Sequence, residues 1–430
     1  MPDGNGTRSV VTSALSLADY QKQGGFTAYT RATSSGRGSS EILTEIRTAK
    51  LRGRGGAGML TADKWQVVLD QVVKRGGPPQ LVCNAYDADP RSLVATTLLT
   101  TQPFTVLEGI VLAAYALGAN EAYMYMHSKN RNGYDAFNAA VHQAQDSGVL
   151  GNLTVTIVGV DVGFMGGEES TMLEVIRGRR AMAVQRPPYP AQSGLSELPT
   201  AIANVETLSH IVTIMNNGAQ AYVKAGSKDV AGTKLVTVYD AQGQGTVVEV
   251  SMGMPIATIL QKAGIAITPE NARGVVVGGP EGGVLPAELW NTPFDFDSLK
   301  SVGTILGSAT IEVLPKSTCM VEWSRSRTDY LAQASCGKCI PCRTGVKRAT
   351  GVLAGIMSDV GNQSDVAVLQ DLAEYIPSGS LCGFGWNATH PMKTAMRYFA
   401  DDFTKHLNGE CPTGTCFPVR THRFALKKVL

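Results

Sequence analysis

The sequence predicts three successive architectures: an α/β region with a parallel sheet, a compact β-rich module, and a helical region gathered around cysteines. Three observations predict them. Short apolar runs alternate with helical patterns between residues 80 and 160, the texture changes after Gly226, and a Cys-x2-Cys-x2-Cys triplet lies among helical stripes beyond Asp329. A chain of 430 residues is more than one hydrophobic core normally holds, so roughly two to four domains are expected.

Taken in order, residues 1–40 are polar and loosely patterned, with Ser34, Ser35, Gly36 and residues 38–40 reading as a flexible stretch. Residues 80–83 read as a buried strand, 104–118 as a helix, 121–126 as a strand, 134–144 as a helix and 153–160 as a strand. Strands alternating with helices argue for a parallel sheet with ligands at the carboxyl ends of its strands. Beyond Gly226, residues 234–239 and 246–250 are β-type, 256–263 helical, and 274–277 and 310–313 β-type again. That module is roughly 85 residues long, an ordinary domain size. In the last region Val346, Ala349, Leu353 and Ile356 form one stripe, and Met392, Met396, Phe399 and Phe403 another. Both have helical spacing and are assigned to core packing.

Composition narrows the classes. Hydrophobic content of 43% with 17% charged residues is ordinary for a globular protein, and the 47 glycines cluster in motifs. A net charge of +2 gives no argument for nucleic acid or a membrane surface. The strongest apolar run, near residues 106–119, is broken by Glu108, so no transmembrane segment is expected. Met1-Pro2-Asp3-Gly4 lacks a basic-then-apolar signal. Eight cysteines in metal-like spacing suit a reducing compartment, and a cytoplasmic location is expected.

The chemistry concentrates in four places. Cys336, Cys339, Cys342 and Cys382 are spaced as three and one. Four thiolates are the usual ligand set of a [4Fe–4S] cluster, whereas structural zinc usually takes two separated cysteine pairs. Electron transfer is therefore the first hypothesis. Leu51-Arg52-Gly53-Arg54-Gly55-Gly56-Ala57-Gly58, followed by Lys64, could bring backbone N–H groups and cations to an anionic ligand, or could be a flexible turn. No strand leads directly into it, so it is not the dinucleotide Gly-x-Gly-x-x-Gly. The carboxylates of Gly166-Gly167-Glu168-Glu169 could accept hydrogen bonds from ribose hydroxyls, or simply complement a helix dipole. Cys411 and Cys416, with His406 or His422, could supply part of a zinc site that a partner chain completes, or could be free thiols. Cys83 reads as a buried small hydrophobe and Cys319 as a packing residue. His127, His142 and His210 show no ligand spacing.

Occurring together and in this order, the pieces resemble the family of NADH-oxidising flavoprotein subunits of respiratory complex I and of NAD-linked hydrogenases and formate dehydrogenases. The resemblance rests on the Gly-rich loop, Cys83-Asn84-Ala85, Gly167-Glu168-Glu169, Pro187-Pro188-Tyr189-Pro190, Asn204-Val205-Glu206-Thr207-Leu208, Ser335-Cys336-Gly337-Lys338-Cys339-Ile340-Pro341-Cys342-Arg343 and Ser380-Leu381-Cys382-Gly383. It implies a polar segment over 1–40, an α/β flavin domain over 41–228 and a β-grasp (ubiquitin-like, SLBB-like) domain over 229–318. A C-terminal helical bundle holding the iron–sulfur cluster would span 319–410, with a tail over 411–430.

The same resemblance implies roles. Gly53, Arg54, Gly55 and Gly56 would line FMN, Lys64 would meet its phosphate, and Asn84 and Asn204 would hydrogen-bond it. Asp87 and Asp89 stand in an acidic loop that would touch both flavin and NADH. Glu168 and Glu169 would meet the dinucleotide, with Arg186 and Tyr189 nearby. Hydride transfer would be flavin-borne, with no catalytic side chain, and single electrons would leave through the cluster. Expected partners are a two-iron ferredoxin-like subunit and a catalytic subunit whose identity stays open.

The chain departs from the family pattern where the nucleotide is expected. Tyr86 replaces the first acid of the loop, Asp87 and Asp89 replace glutamates, and Met59-Leu60-Thr61-Ala62 replaces Phe-Pro-Thr-Gly. Ala203 replaces one asparagine of a pair. Each lost stack or charged hydrogen bond would cost about 1 kcal/mol or more. Two readings follow: a subunit exchanging electrons between NAD(H), FMN and the cluster, or a diverged paralogue lacking NADH or FMN binding that serves as a structural or relay subunit.

Overall fold

Residues 81–83 form an apolar run, and the strand that contains them, Gln80–Ala85, is buried on both faces. The computed structural model describes residues 16–34, 38–358 and 361–416. Strands β1 (Gln80–Ala85), β2 (Glu121–His127), β3 (Thr154–Val160) and β4 (Thr200–Asn204) form one sheet in the order β3-β2-β1-β4. Every pairing in it is parallel. Leu81, Val82 and Cys83 are fully buried, as expected where helices cover both faces. The chain steps outward from β1 to β3 and then returns to the other side of β1. The boundary between β1 and β4 is therefore the topological switch point, where such sheets bind ligands beyond their carboxyl ends.

Among the described residues, 16–34 and 38–40 of the polar N-terminal segment are ordered as helices rather than the flexible stretch expected at 34–40; residues 1–15 lie outside the described residues. Helices Leu17–Lys22, Thr27–Ser34 and Gly38–Thr48 occupy it, and Phe26, Ala28, Ala32, Ile42 and Ile46 join the core. Short helices of this kind are stabilised by packing rather than by propensity, so composition alone misreads them. Residues 35–37 lie outside the described residues. Glu108, inside the apolar helix Pro103–Leu117, accepts hydrogen bonds from the Tyr20 hydroxyl at 2.6 Å and the Phe26 amide at 2.9 Å. Among the described residues no single helix is long and apolar enough to cross a membrane.

Strands β5 (Thr233–Tyr239), β6 (Gly245–Ser251), β7 (Ala272–Val277), β8 (Gly283–Leu285) and β9 (Thr310–Pro315) form a second sheet, ordered β6-β5-β9-β7-β8. β5 and β9 run parallel and the other neighbours antiparallel. Val236, Val238, Val275, Val277 and Ile311 pack there with Ile256, Ile259 and Leu260 of the helix Ile256–Lys262. Helices Met320–Ala334, Val346–Met357, Gln363–Ser378, His390–Tyr398 and Ala400–Leu407 follow. The stripe Val346, Ala349, Leu353 and Ile356 is buried as expected. The second stripe is shared by two helices, with Phe399 at the joint between them.

A buried knot of charge ties the first sheet to the second. Glu206, in the helix Val205–Asn217 after β4, pairs with Lys234 of β5, and both side chains are 2% exposed. The same carboxylate accepts the Leu235 amide at 2.6 Å. Burial alone would raise the Glu206 carboxyl, but Lys234 and His210 hold it down at about 2. Removing one partner of a buried pair costs about 3–5 kcal/mol because the other is left uncompensated. Lys234→Met should therefore lower stability by that amount in urea denaturation. A depressed carboxyl contributes stability that is complete above its unfolded value of 4.5 and drains as pH falls toward the folded value. Wild-type stability measured below that point should fall with a steepness that the variant lacks.

Candidate cofactor cradle and cluster site

The Gly-rich loop packs at the switch point, where Gly56 lets its backbone approach that of the second sheet's connection closely. Gly56 has φ of +100°, and a Cβ there would stand 2.7 Å from the carbonyl oxygen of Gly307, in the second sheet's connection. A Cβ on Gly55 would lie 3.4 Å from Cβ of Asn204 at the end of β4. The Arg54 amide donates to the Thr207 hydroxyl at 2.8 Å.

The Arg54 guanidinium does not serve the loop's open side. It is 2% exposed and donates to the carbonyls of Thr233 at 2.9 Å, Arg52 at 2.9 Å and Ala231 at 2.7 Å, and to the Tyr222 hydroxyl at 2.8 Å. The loop is thus bolted to β5 by the residue expected to line the flavin, because a buried guanidinium must fill its donors wherever acceptors stand.

Lys64, Asn84, Glu169 and Asn204 do gather at the carboxyl ends of β1 and β4. Lys64, in the helix Thr61–Arg75, forms an ion pair with Glu169. Asn84 donates to the Gly167 carbonyl at 3.4 Å, and Asn204 donates to the Asn84 carbonyl at 3.5 Å while capping its own helix. Glu168 takes the helix-start role. Its carboxylate caps Glu169–Ile176 by accepting the Thr171 amide at 2.9 Å and the Ser170 hydroxyl at 2.6 Å, and it pairs with Arg186. Tyr189 is 53% exposed, with the Arg186 guanidinium 6.0 Å from its ring centre.

The two aspartates of the altered loop are spent on packing. Asp87 accepts the Ser92 hydroxyl at 2.8 Å and the Ala95 amide at 2.9 Å at the start of Val94–Thr101. Burial pushes its carboxyl up to about 7 against those hydrogen bonds. Asp89, 3% exposed, accepts the hydroxyls of Ser308 at 2.6 Å and Thr310 at 2.7 Å across the seam with β9. Tyr86 is 1% exposed; its hydroxyl donates to the Gly163 carbonyl at 3.0 Å and accepts the Val162 amide at 2.9 Å. Asp87 and Asp89, expected to touch flavin and NADH, are engaged here by neighbouring hydroxyls and amides.

The four cluster cysteines share one cradle. Cys342 sits in a π turn, Pro341–Gly345, and Cys382 precedes the helix Gly383–Asn387. The Leu381 amide points at Cys339 Sγ at 3.4 Å, and the Ser335 hydroxyl lies 3.3 Å from Cys342 Sγ. Cys336 and Cys339 pack against the apolar cluster that contains Cys342 and Cys382. Four thiols gathered with polar N–H and O–H neighbours fit an iron–sulfur cluster. Burial pushes the Cys382 thiol up to about 12 and raises Cys342 as well, so binding iron there must release protons.

Cradle and crevice touch. Met165 and Ala183 pack in one apolar cluster with Cys342 and Cys382. Lys338 donates to the Ala183 carbonyl at 2.8 Å, and Arg180 to the Cys336 carbonyl at 3.4 Å. Arg180, Lys338 and Tyr86 carry no ligand signature in sequence, and only the fold brings them here. Cys83 is fully buried, as expected.

Residues 46–213 match the family described as Nuo51 FMN-binding domain, and residues 322–406 match the NADH-ubiquinone oxidoreductase-F iron-sulfur binding region. Fold and site together define a flavin and iron–sulfur electron-transfer subunit. The chain belongs to the NADH-quinone oxidoreductase-F family. It is 31% identical over 409 residues to the second NADH-quinone oxidoreductase-F protein of Rhizobium meliloti (strain 1021), covering 92% of this chain and 96% of that one. It is 30% identical to the NADP-reducing hydrogenase protein HndC of Solidesulfovibrio fructosivorans, with 89% and 79% covered. One chain in the crystal structure of an NAD+-reducing [NiFe]-hydrogenase in the H2-reduced state superposes with a TM-score of 0.80 at 27% identity, over 93% of this chain and 68% of that one.

Removing the Arg54 guanidinium should strand the buried carbonyls of Thr233 and Ala231, at about 1–3 kcal/mol each. Arg54→Ala should lower thermal stability equally in flavin-loaded and flavin-stripped protein. A loss confined to the loaded form would instead make Arg54 a ligand contact.

Proposed function

We propose that the crevice between β1 and β4 binds FMN and a pyridine dinucleotide, and that electrons pass between them and the cluster held by Cys336, Cys339, Cys342 and Cys382. The observation that carries this reading is convergence: the Gly-rich loop, Lys64, Asn84, Glu169 and Asn204 meet at the switch point, one packing layer from the cluster cysteines. FMN, when bound, supplies the conversion of a two-electron donor into single electrons.

The chain's own residues divide the remaining work. Lys64 would exchange Glu169 for the phosphate, and Asn84, Asn204 and the amides of Gly55 and Gly56 would orient the ring system, the Gly53 amide being taken by the Met59 carbonyl at 2.8 Å. Glu169, once released, accepts from ribose hydroxyls, while Arg186 and Tyr189 offer a cation and an aromatic face at the mouth. Arg54, Asp87, Asp89 and Glu168 hold the cradle's shape.

We also assign the second sheet, over 229–318, to the β-grasp class. Its support is the strand order β6-β5-β9-β7-β8 with a helix following the first hairpin. Divisions near 228 and 318 are supported by the changes of architecture, whereas the helix Gly38–Thr48 runs through 40 and Phe26 and Ala32 share the first core. The expected partners, a two-iron ferredoxin-like subunit and a catalytic subunit, are supported by the exposed apolar side chains beside the cluster. Ile340 is 63% exposed, Tyr375 57% and Trp386 52%. A single-electron carrier docking there would shorten the path from Cys339.

The packing roles of Asp87, Asp89 and Glu168 favour the second reading, a paralogue without nucleotide chemistry. Acid extraction of the purified complex should yield FMN, and anaerobic NADH should bleach it. Lys64→Ala should weaken flavin retention about tenfold or more, the usual cost of a lost charged hydrogen bond. A flavin-free complex with a full complement of cluster iron would overturn the proposal in favour of the relay role.

A further inference from the structure

Cys319, His406, Cys411 and Cys416 are far apart in sequence, but their ligand atoms all lie within 4.8 Å of one another. Cys319 precedes the helix Met320–Ala334, His406 sits in Ala400–Leu407, and the last two lie in the turn beyond it. Cys319 Sγ stands 3.4 Å from His406 Nε2 and 3.3 Å from Cys416 Sγ. Zinc bonds of about 2.3 Å to sulfur and about 2.0 Å to nitrogen give tetrahedron edges of roughly 3.5–3.8 Å, close to these separations.

The imidazole is set for coordination. Its Nδ1 lies 2.6 Å from the Asp402 carbonyl, which can only accept, so the proton sits on Nδ1 and the Nε2 lone pair faces the thiols. The Asp402 carboxylate is itself held by Arg273 at 2.5 Å and by the Met320 amide at 3.3 Å. It therefore fixes the histidine-bearing helix against the helix that starts beside Cys319. A bond between Cys319 and Cys416 would need an S–S distance of about 2.0 Å and would give the histidine no role.

We propose that these four residues form a complete Cys3His zinc site within this chain. Sequence spacing alone points to only part of it, with a partner chain supplying the rest; the fold supplies Cys319 and chooses His406, while His422 lies outside the described residues. Binding Zn2+ displaces the thiol protons to solvent and involves no electron transfer. With four protein ligands the site is closed and structural. It clamps residues 411–416 to the start of Met320–Ala334, the helix whose far end leads into Ser335 and Cys336, so the ion braces the cluster region without carrying current.

Metal analysis of the purified complex after washing with EDTA should find one zinc per chain in addition to cluster iron. The double variant Cys411→Ser with Cys416→Ser should lose that zinc, keep its iron and unfold at a lower temperature. On the native complex, a mercurial thiol reagent should release one zinc per chain to a chromogenic chelator, a readout that survives if the variant fails to fold. The proposal is overturned by zinc that persists in the variant, by an extra iron in place of zinc, or by recovery of a Cys319–Cys416 disulfide peptide from zinc-free protein.

Discussion

The seam between the two sheets is the constraint on which the site depends. Arg54, Glu206 and Lys234 bring three full charges into a place with almost no solvent; Arg54 and Glu206 are satisfied by backbone from the opposite side, and Lys234 by Glu206 and the Leu235 carbonyl. The consequence is geometric. The Gly-rich loop cannot drift from β5, the helix after β4 cannot drift from the loop, and the crevice between β1 and β4 keeps its width. Asp89 repeats the device one strand over, reaching Ser308 and Thr310.

The same economy explains the altered acidic loop. An acid projecting into a crevice is free to meet a ligand only if nothing nearby claims it. Here Asp87 is short enough to be captured by the first turn of Val94–Thr101, and Asp89 by hydroxyls of the second sheet. Tyr86 then closes the floor with a ring that Gly166 alone can accommodate, since a Cβ there would come within 2.7 Å of it. The negative charge of Asp87 and Asp89 is thus held by the scaffold. The ionisable groups at the crevice are the neutralising pairs Lys64–Glu169 and Arg186–Glu168.

Placement of the cluster next to this crevice is a matter of one segment. Residues 164–183 leave the first sheet, carry Glu168 and Glu169 on their way, and contribute Met165 and Ala183 to the apolar cradle of Cys342 and Cys382. Phe164 extends the contact, with its ring 5.8 Å from Phe384 and 6.2 Å from Tyr330. A close-packed connection suits electron passage, and Cys342 and Cys382 are the buried thiols of the four. Arg180 and Lys338 fasten its polar edge.

Periodicity and spacing by themselves determined the parallel sheet, the β-rich module and the four cluster cysteines. Strand and helix periods are local, and a thiolate triplet with two-residue gaps admits few other uses. Short elements such as β4 and β8, and the N-terminal helices, carry too few residues for a period to register. Residue types also cannot say which partner claims them. Arg54 and Lys64 look equivalent as cations near glycines, and only the fold buries one and leaves the other at the crevice. Glu168 and Glu169 are adjacent, but one caps a helix and the other pairs with Lys64. Cys319 reads as packing until His406, 87 positions away, and the still more distant Cys411 and Cys416 come against it. Tertiary structure decided these roles because burial and hydrogen-bond satisfaction are properties of neighbours, and those neighbours are distant in the chain.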